Sequence, residues 1–239
     1  MIGYIVFLML IFSFMLLAVL VAKFGPLYIR FKKSSYESIS GNDFLHIMRD
    51  KGSYGEFLIF EILESVEIHH RVLANLYVPK ADGSTTEIDL VMICEYGLFV
   101  FESKNYSGWI FGKEREKEWT QTFGKGKKYK FFNPIWQNKA HINALKNTLK
   151  VENDDLLKSY IVFSERCKLK KIDIDTPGIV ILKRSVLKRR IQKDFDQMSS
   201  QYNLGQIERL YSKLCQYVRA DDSMKKNHIN SVRKKQNIV

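Results

Sequence analysis

Residues 87–104 read EIDLVMICEYGLFVFESK, and this stretch decides the fold. Two runs of β-branched, aliphatic and aromatic residues flank a glycine-containing break, which is typical of a β-hairpin. If the turn is centred on residues 95–96, Asp89 falls opposite Glu102. Side chains alternate between the faces of a strand, so Glu102 and Lys104 share one face and Asp89 joins them from the neighbouring strand.

Two carboxylates and a lysine on one face of a hairpin indicate a site for a cation. Directly opposed like charges destabilise a sheet, and a divalent cation such as Mg²⁺ compensates for that repulsion because it prefers oxygen ligands. A nearby lysine lowers the cost further. The alternative is a salt-bridged rim of the sheet, in which Lys104 pairs with Glu87 and Asp89 caps a strand. The pattern leaves both interpretations open.

The same register predicts that the hairpin is an interior element. Strands that are apolar on both faces are covered on both faces, as in α/β proteins. One face carries Val91, Ile93, Leu98 and Val100, and the other carries Ile88, Leu90, Met92, Phe99 and Phe101.

The N-terminal 22 residues contain no charged side chain. As a helix they span about 33 Å, close to the thickness of the hydrocarbon core of a membrane. The segment lacks the positive start and the clear cleavage site of a signal peptide, so we expect a transmembrane anchor. Lys23, Arg30, Lys32 and Lys33 follow, and the positive-inside rule then predicts a single-pass protein of the cell (inner) membrane with a cytoplasmic body.

The chain is strongly basic, with 38 Lys and Arg against 26 Asp and Glu and a net charge of +12. Such a charge favours phosphate-bearing partners, which are nucleic acid or the anionic lipid headgroups beside the anchor. The basic runs at residues 125–130, 166–171 and 183–193 could follow a nucleic-acid backbone, although each run alone is more often a solvated surface. Three widely spaced cysteines argue against a zinc site or a disulfide framework.

The remaining sequence predicts an ordered series of elements. Residues 51–56 read as a glycine-punctuated loop that leads into a helix, with Glu56 in its first turn either as a partner of the helix dipole or as a third acid of the site. Three short strands of a meander follow the hairpin. Asn133-Pro134 starts a helix to about residue 149, because Asn is a good N-cap and Pro suits the first helical position. Strands at 159–164 and 178–182 and further helices complete the chain.

Five motifs in this order resemble the nuclease-related (NERD) domain. They are Gly55-Glu56, residues 87–89 (EID), residues 97–105 (GLFVFESKN), Trp119 and residues 133–138 (NPIWQN). The resemblance covers about residues 50–165. It departs from related nucleases at Ile88, where the name of the PD-(D/E)XK superfamily has proline, and at His141, where an aromatic residue is common.

The resemblance implies both a fold and a set of site residues. The fold is an α/β structure with a restriction-endonuclease-like mixed sheet flanked by helices, here preceded by one transmembrane helix and followed by a helical C-terminal extension. The implied catalytic residues are Glu56, Asp89, Glu102, Lys104 and Gln137. Of these, the two hairpin acids and Glu56 would bind Mg²⁺ or Mn²⁺.

The sequence therefore predicts a membrane-anchored, metal-dependent nuclease that acts on DNA. The alternative is a catalytically silent module that binds nucleic acid or a protein partner at the membrane. The predicted organisation is a transmembrane helix (1–22), a basic juxtamembrane segment (23–49), the nuclease-like domain (50–165), a sheet edge with a helical extension (166–224) and a basic tail (225–239). Trp109, Trp119 and Trp136 could stack on bases, but their size favours positions in the core.

Overall fold

A computed structural model describes residues 2–218, apart from the side chain of Lys125, so the predicted basic tail lies outside the described residues. Strands form the centre of this part of the chain. They are β1 His70–Pro79, β2 Thr85–Cys94, β3 Gly97–Lys104, β4 Gly108–Lys113, β5 Glu118–Thr122, β6 Lys128–Phe132, β7 Leu157–Phe163, β8 Cys167–Asp173 and β9 Ile179–Lys183.

Helices precede, flank and follow the strands. They are α1 Ile2–Lys33, α2 Tyr36–Ser40, α3 Phe44–Arg49, α4 Lys51–Glu64, α5 Pro134–Leu149, α6 Leu187–Phe195 and α7 Leu204–Cys215. The start of α5 follows the predicted signals, since the side chain of Asn133 accepts a hydrogen bond from the backbone N–H of Ile135 and Pro134 is the first helical residue.

The first sheet has the strand order β1-β2-β3-β7-β9 and is mixed. Its first three strands are antiparallel, whereas β7 and β9 run parallel to β3. The hairpin of β2 and β3 has the predicted register, with Val91 opposite Val100 and Ile93 opposite Leu98. Every residue of β3 from Gly97 to Glu102 is buried, so the hairpin is the interior element that its sequence predicts.

Two apolar clusters cover the two faces of this sheet. Leu90 packs with α4 and α6 on one face, and Val91 packs with α5 and α7 on the other. Ile88 was predicted to share the face of Leu90, but it packs in the cluster of Val91. The reason is a break in the pairing opposite Asp89, where Asn75 of β1 has a φ of 55° and the regular alternation of faces is interrupted.

The second sheet has the order β6-β5-β4-β8. Strands β4 to β6 are the predicted meander. No strand was predicted in the basic run at residues 166–171, but most of it lies in β8, which pairs parallel to β4. A third apolar cluster, including Trp119 and Phe163, joins this sheet to the first one. The fold is thus mixed α/β with two mixed sheets flanked by helices.

The segment before β1 contains more helix than the sequence predicts. The apolar helix α1 continues past residue 22 to Lys33, and it is long and apolar enough to cross a membrane. The predicted glycine-punctuated loop at residues 51–56 is helical, because Asp50 caps α4 by accepting from the backbone N–H of Ser53. Gly52 and Gly55, the glycines that predict the loop, both lie within the helix.

Candidate active site

The carboxylate of Asp89 lies where β2 and β3 diverge, one step beyond the last regular pair of the hairpin, Leu90 and Phe101. Its Oδ2 accepts a hydrogen bond from the backbone N–H of Ser103 at 2.7 Å. The sequence predicts Asp89 directly opposite Glu102, but the regular pairing ends at Leu90 and Phe101. Asp89 is nevertheless close enough to Glu102 for the charge of Glu102 to raise its pKa.

Lys104 joins the end of β3 to helix α5. Its Nζ donates to Glu102 Oε1 at 2.6 Å and to Gln137 Oε1 at 3.0 Å. The ion pair of Lys104 with Glu87 that the rim interpretation predicts is not formed: Lys104 pairs with Glu102, and Glu87 accepts from the hydroxyl of Tyr77 at 2.7 Å. The structure brings together three predicted residues, Glu102, Lys104 and Gln137.

Glu56 approaches the same place from α4. It lies beyond the first turn of that helix, which begins at Lys51, so the prediction that it partners the helix dipole is wrong. The hydroxyl of Tyr36 donates to Glu56 Oε2 at 3.3 Å. Close packing holds α4 against the chain after Glu102, since a Cβ added at Gly55 would lie 2.9 Å from Asn105 Cβ and 3.0 Å from Ser103 Oγ.

His141 is a site neighbour that the sequence reasoning missed as a functional residue. It is 3 % exposed, and its Nε2 lies 3.0 Å from Glu102 Oε2, while its Nδ1 lies 2.9 Å from Thr86 Oγ1. Glu102 is itself 1 % exposed, so its two oxygens are held by Lys104 on one side and His141 on the other. Helical spacing was the available signal, because residues four apart such as Gln137 and His141 share one face of a helix.

The four ionisable groups of the site divide by their electrostatic environment. Burial, together with the charges of Glu102 and Glu56, raises the pKa of Asp89 well above its usual value. Burial and the charge of Glu87 likewise raise the pKa of Glu56 to about 8. Burial acts in the same direction on Glu102, but Lys104 and the hydrogen bond from His141 outweigh it and lower the pKa of that carboxyl.

Lys104 remains charged despite its position. Burial acts to lower its pKa, but the attraction of Glu102 outweighs burial, so the pKa of Lys104 lies above its usual value. A protonated ammonium cannot take a proton from water, although it can orient a water molecule or stabilise negative charge. The arrangement therefore contains one ion pair, Glu102 with Lys104, and two acids, Asp89 and Glu56, whose charged forms are disfavoured by burial and by the neighbouring acids.

The donor chemistry of the site fits a hard divalent cation. Asp89 and Glu56 repel each other and Glu102, and carboxylate oxygens are the ligands that Mg²⁺ prefers. Within residues 2–218 no group of three His, Cys, Asp or Glu side chains is arranged as a formed metal site. Each oxygen of Glu102 already has one partner, Lys104 or His141, and an ionised carboxylate has further lone pairs with which it could bind a cation.

The three tryptophans fall into two classes. Trp119 is fully buried and packs against Phe163, as its size predicts. Trp109 and Trp136 were also expected in the core, but they are 49 % and 38 % exposed.

Comparison with known proteins gives two matches. A family model described as "Nuclease-related domain" (NERD) matches residues 51–164. An uncharacterized protein of Bacillus anthracis is 30 % identical over 191 residues, which cover 80 % of this chain and 87 % of that protein. No solved structure matches the chain.

Proposed function

Because the chain belongs to the nuclease-related domain (NERD) family, we propose that it is a membrane-anchored, metal-dependent nuclease that hydrolyses phosphodiester bonds of DNA. The observation that carries the proposal is the position of Lys104 Nζ, between Glu102 on its own strand and Gln137 on α5. In this arrangement the acids supply ligands for a metal ion, the lysine supplies a positive charge, and the glutamine supplies a hydrogen-bond donor for a phosphate.

Each residue has a distinct task in this proposal. Asp89, Glu102 and Glu56 would hold Mg²⁺ or Mn²⁺, which polarises the scissile phosphate and lowers the pKa of a bound water. Lys104, as an ammonium, orients the attacking water and stabilises the negative charge that develops on the phosphate. Gln137 binds a phosphate oxygen through its amide N–H, and His141 keeps Glu102 in place.

The direct test is cleavage by the full-length chain in detergent. Plasmid and single-stranded DNA are incubated with Mg²⁺, Mn²⁺ or EDTA, beside Lys104→Ala and the matched control Lys213→Ala, an exposed lysine of α7. We expect cleavage by the parent and the control with metal, and a loss of roughly 10²-fold or more in Lys104→Ala, the size seen when a preorganised electrostatic group is removed. Cleavage at the parental rate by Lys104→Ala would contradict this mechanism.

A catalytically silent module is the second candidate. The specific observation in its favour is that Glu102 is already engaged by Lys104 and His141, a complete arrangement without a metal. This candidate predicts DNA binding with no cleavage by the parent in either metal. The same assay therefore separates the two candidates, provided that binding is measured beside cleavage.

The membrane part of the proposal rests on α1. This helix is exposed along its apolar length and reaches the four basic residues that follow residue 22. We propose that it anchors the chain in the cell membrane and leaves the C-terminal body in the cytoplasm. A reporter fused after Val239 should behave as cytoplasmic, whereas a translocated reporter, or cleavage near residue 22, would reject the orientation or the anchor.

A further inference from the structure

The second sheet has one face turned away from the core. Residues directly opposite each other on paired strands share a face, so Lys168 of β8, Trp109 of β4, Thr122 of β5 and Lys128 of β6 form one row across all four strands. With strands about 4.8 Å apart, this row is about 14 Å long.

The next row on this face repeats the composition of the first. Lys171, Phe111, Thr120 and Lys130 stand opposite one another on the same four strands. The pairing of β4 with β8 shifts between Ile110 and Phe111, which leaves Lys170 as an extra residue of β8. Its Nζ lies 4.9 Å from the centre of the Trp109 ring, so Lys170 also belongs to this face.

The face is basic and is not neutralised by its own residues. The five lysines of the two rows and the extra position are all exposed, and none of these five forms an ion pair within residues 2–218; they are Lys128, Lys130, Lys168, Lys170 and Lys171. The acids on this face, Glu118 and Asp173, lie at its far end beside Phe132 and Lys113. A surface with this charge complements a polyanion.

Aromatic rings lie among these lysines. Trp109 is 49 % exposed, and Phe132 on β6 is 47 % exposed. Aromatic side chains in a basic groove bind single-stranded nucleic acid, because every base can stack on a ring and the lysines follow the phosphates. The bases of a duplex are stacked on one another and do not offer their faces to such rings.

The basic face is next to the candidate active site. Three residues separate Lys104, the last residue of β3, from Gly108, the first of β4. Arg166, directly before β8, donates to the backbone oxygen of Asn105 at 2.7 Å and to its side-chain oxygen at 2.9 Å, and its own backbone oxygen accepts from the N–H of Gly108. The connection between the active-site lysine and the first strand of this face is therefore fixed at both ends.

We infer that this face of the second sheet binds single-stranded nucleic acid and presents it to the active site. The inference that the bound strand is a substrate rests on the proposed nuclease function. The inference that this face binds the strand does not. An anionic membrane is the other polyanion near this chain. The end of α1, however, packs into the cluster of α4 and α6, and none of the described residues of α1 belongs to the cluster of the second sheet.

The test measures binding in EDTA, where no cleavage is expected. The full-length chain in detergent is titrated with a labelled single strand of about 30 nucleotides and with a duplex of equal length. Trp109→Ala should weaken single-strand binding roughly 5- to 100-fold, the loss of stacking on one base, with duplex binding changed far less. Trp109→Phe should restore most of the affinity.

Charge variants separate the phosphate contacts from the stacking. The double substitution of Lys168 and Lys170 by Ala should reduce the slope of log affinity against log salt by about 1.4, and Trp109→Ala should leave that slope unchanged. The matched control replaces Lys193 and Lys213, exposed lysines of α6 and α7, and should have no comparable effect.

Two results would overturn the inference. One is a folded Trp109→Ala protein that binds the single strand as the parent does. The other is a parent that binds phosphatidylserine vesicles in preference to the oligonucleotide, with the lysine variants losing only vesicle binding. Lys104→Ala should retain single-strand binding. A parent chain that binds the single strand but does not cleave it in either metal rejects the proposed nuclease and leaves this surface standing.

Discussion

Asp89 and Glu102 lie near each other at the end of one hairpin, yet their electrostatic environments are opposite. Glu102 is compensated by Lys104 at 2.6 Å and held by His141 at 3.0 Å. Asp89 receives one backbone N–H, from Ser103, and is repelled by the neighbouring acids. The spacing predicts that these acids are close, but it cannot predict which of them takes the lysine, because that choice depends on α5.

This difference predicts opposite effects of two similar substitutions in the metal-free protein. Asp89→Asn removes a carboxyl that is costly to ionise, and its amide oxygen can still accept from Ser103, so stability should stay unchanged or rise. Glu102→Gln leaves the buried ammonium of Lys104 without its partner and should cost about 3 kcal/mol. Urea unfolding in EDTA measures both, and equal losses in the two variants would contradict this account.

The raised pKa values predict how stability depends on pH. A carboxyl whose pKa is higher in the folded than in the unfolded chain contributes stability that is present at low pH and is lost as pH rises through the folded value. With the pKa of Glu56 raised from its usual 4.5 to about 8, the metal-free protein should lose stability between about pH 4.5 and about pH 8. Glu56→Gln should flatten this dependence, and a parent that grows more stable over the range would refute the prediction.

At the scale of elements, Gly55 sets the distance between α4 and the end of β3. Gly55→Ala places a Cβ 2.9 Å from Asn105 Cβ, so the helix must move and carry Glu56 with it. Overpacking of this kind costs about 1–3 kcal/mol. The matched control is Gly205→Ala in α7, where the nearest atom is 3.4 Å away and helix propensity favours Ala. Thermal unfolding of both variants measures the difference, and equal stability would contradict the tight approach.

How far the sequence predicts these elements depends on how local their signals are. The β2–β3 hairpin follows from alternation and a glycine turn, and α5 follows from Asn133 and Pro134, so both were predictable. The strand β8 was not, because KLKK at residues 168–171 has the composition of a surface run, and only pairing with β4 makes it a strand. The glycines of α4 wrongly predicted a loop for the same reason, which is that their role depends on a distant segment. Gly55 is needed because Asn105 packs closely against the helix there.

The residues of the candidate site likewise divide into those with a local sequence signal and those whose role depends on a distant contact. Asp89, Glu102 and Lys104 lie on one hairpin, so a period of two brings them together. Gln137 was assigned by the family resemblance, and no local pattern gives its distance from Lys104. His141 escaped the prediction because its role depends on a contact with Glu102 across 39 residues of sequence.

At the scale of the whole molecule, α1 is part of the folded body as well as an apolar segment. Its last turns enter the core: Phe31 is fully buried, with its ring centroid 5.3 Å from that of Phe57 on α4 and 5.5 Å from that of Phe44 on α3. Ala22, the last residue of the uncharged run, is nine residues before Phe31. In a continuous helix this corresponds to about 14 Å, so the proposed anchor would hold the body close to the membrane surface.

This continuity predicts that the body loses stability when Phe31 is removed. Phe31→Ala in the full-length chain should cost about 3–5 kcal/mol, since a buried ring is replaced by a cavity. Ile29→Ala on the same helix is the matched control, because Ile29 is 54 % exposed and should contribute little to folding. A fragment that begins at Ser34 lacks Phe31 and should be destabilised in the same way, which calorimetry in detergent can compare. If all three proteins unfold with the parent, the end of α1 is a tether and the body folds without it.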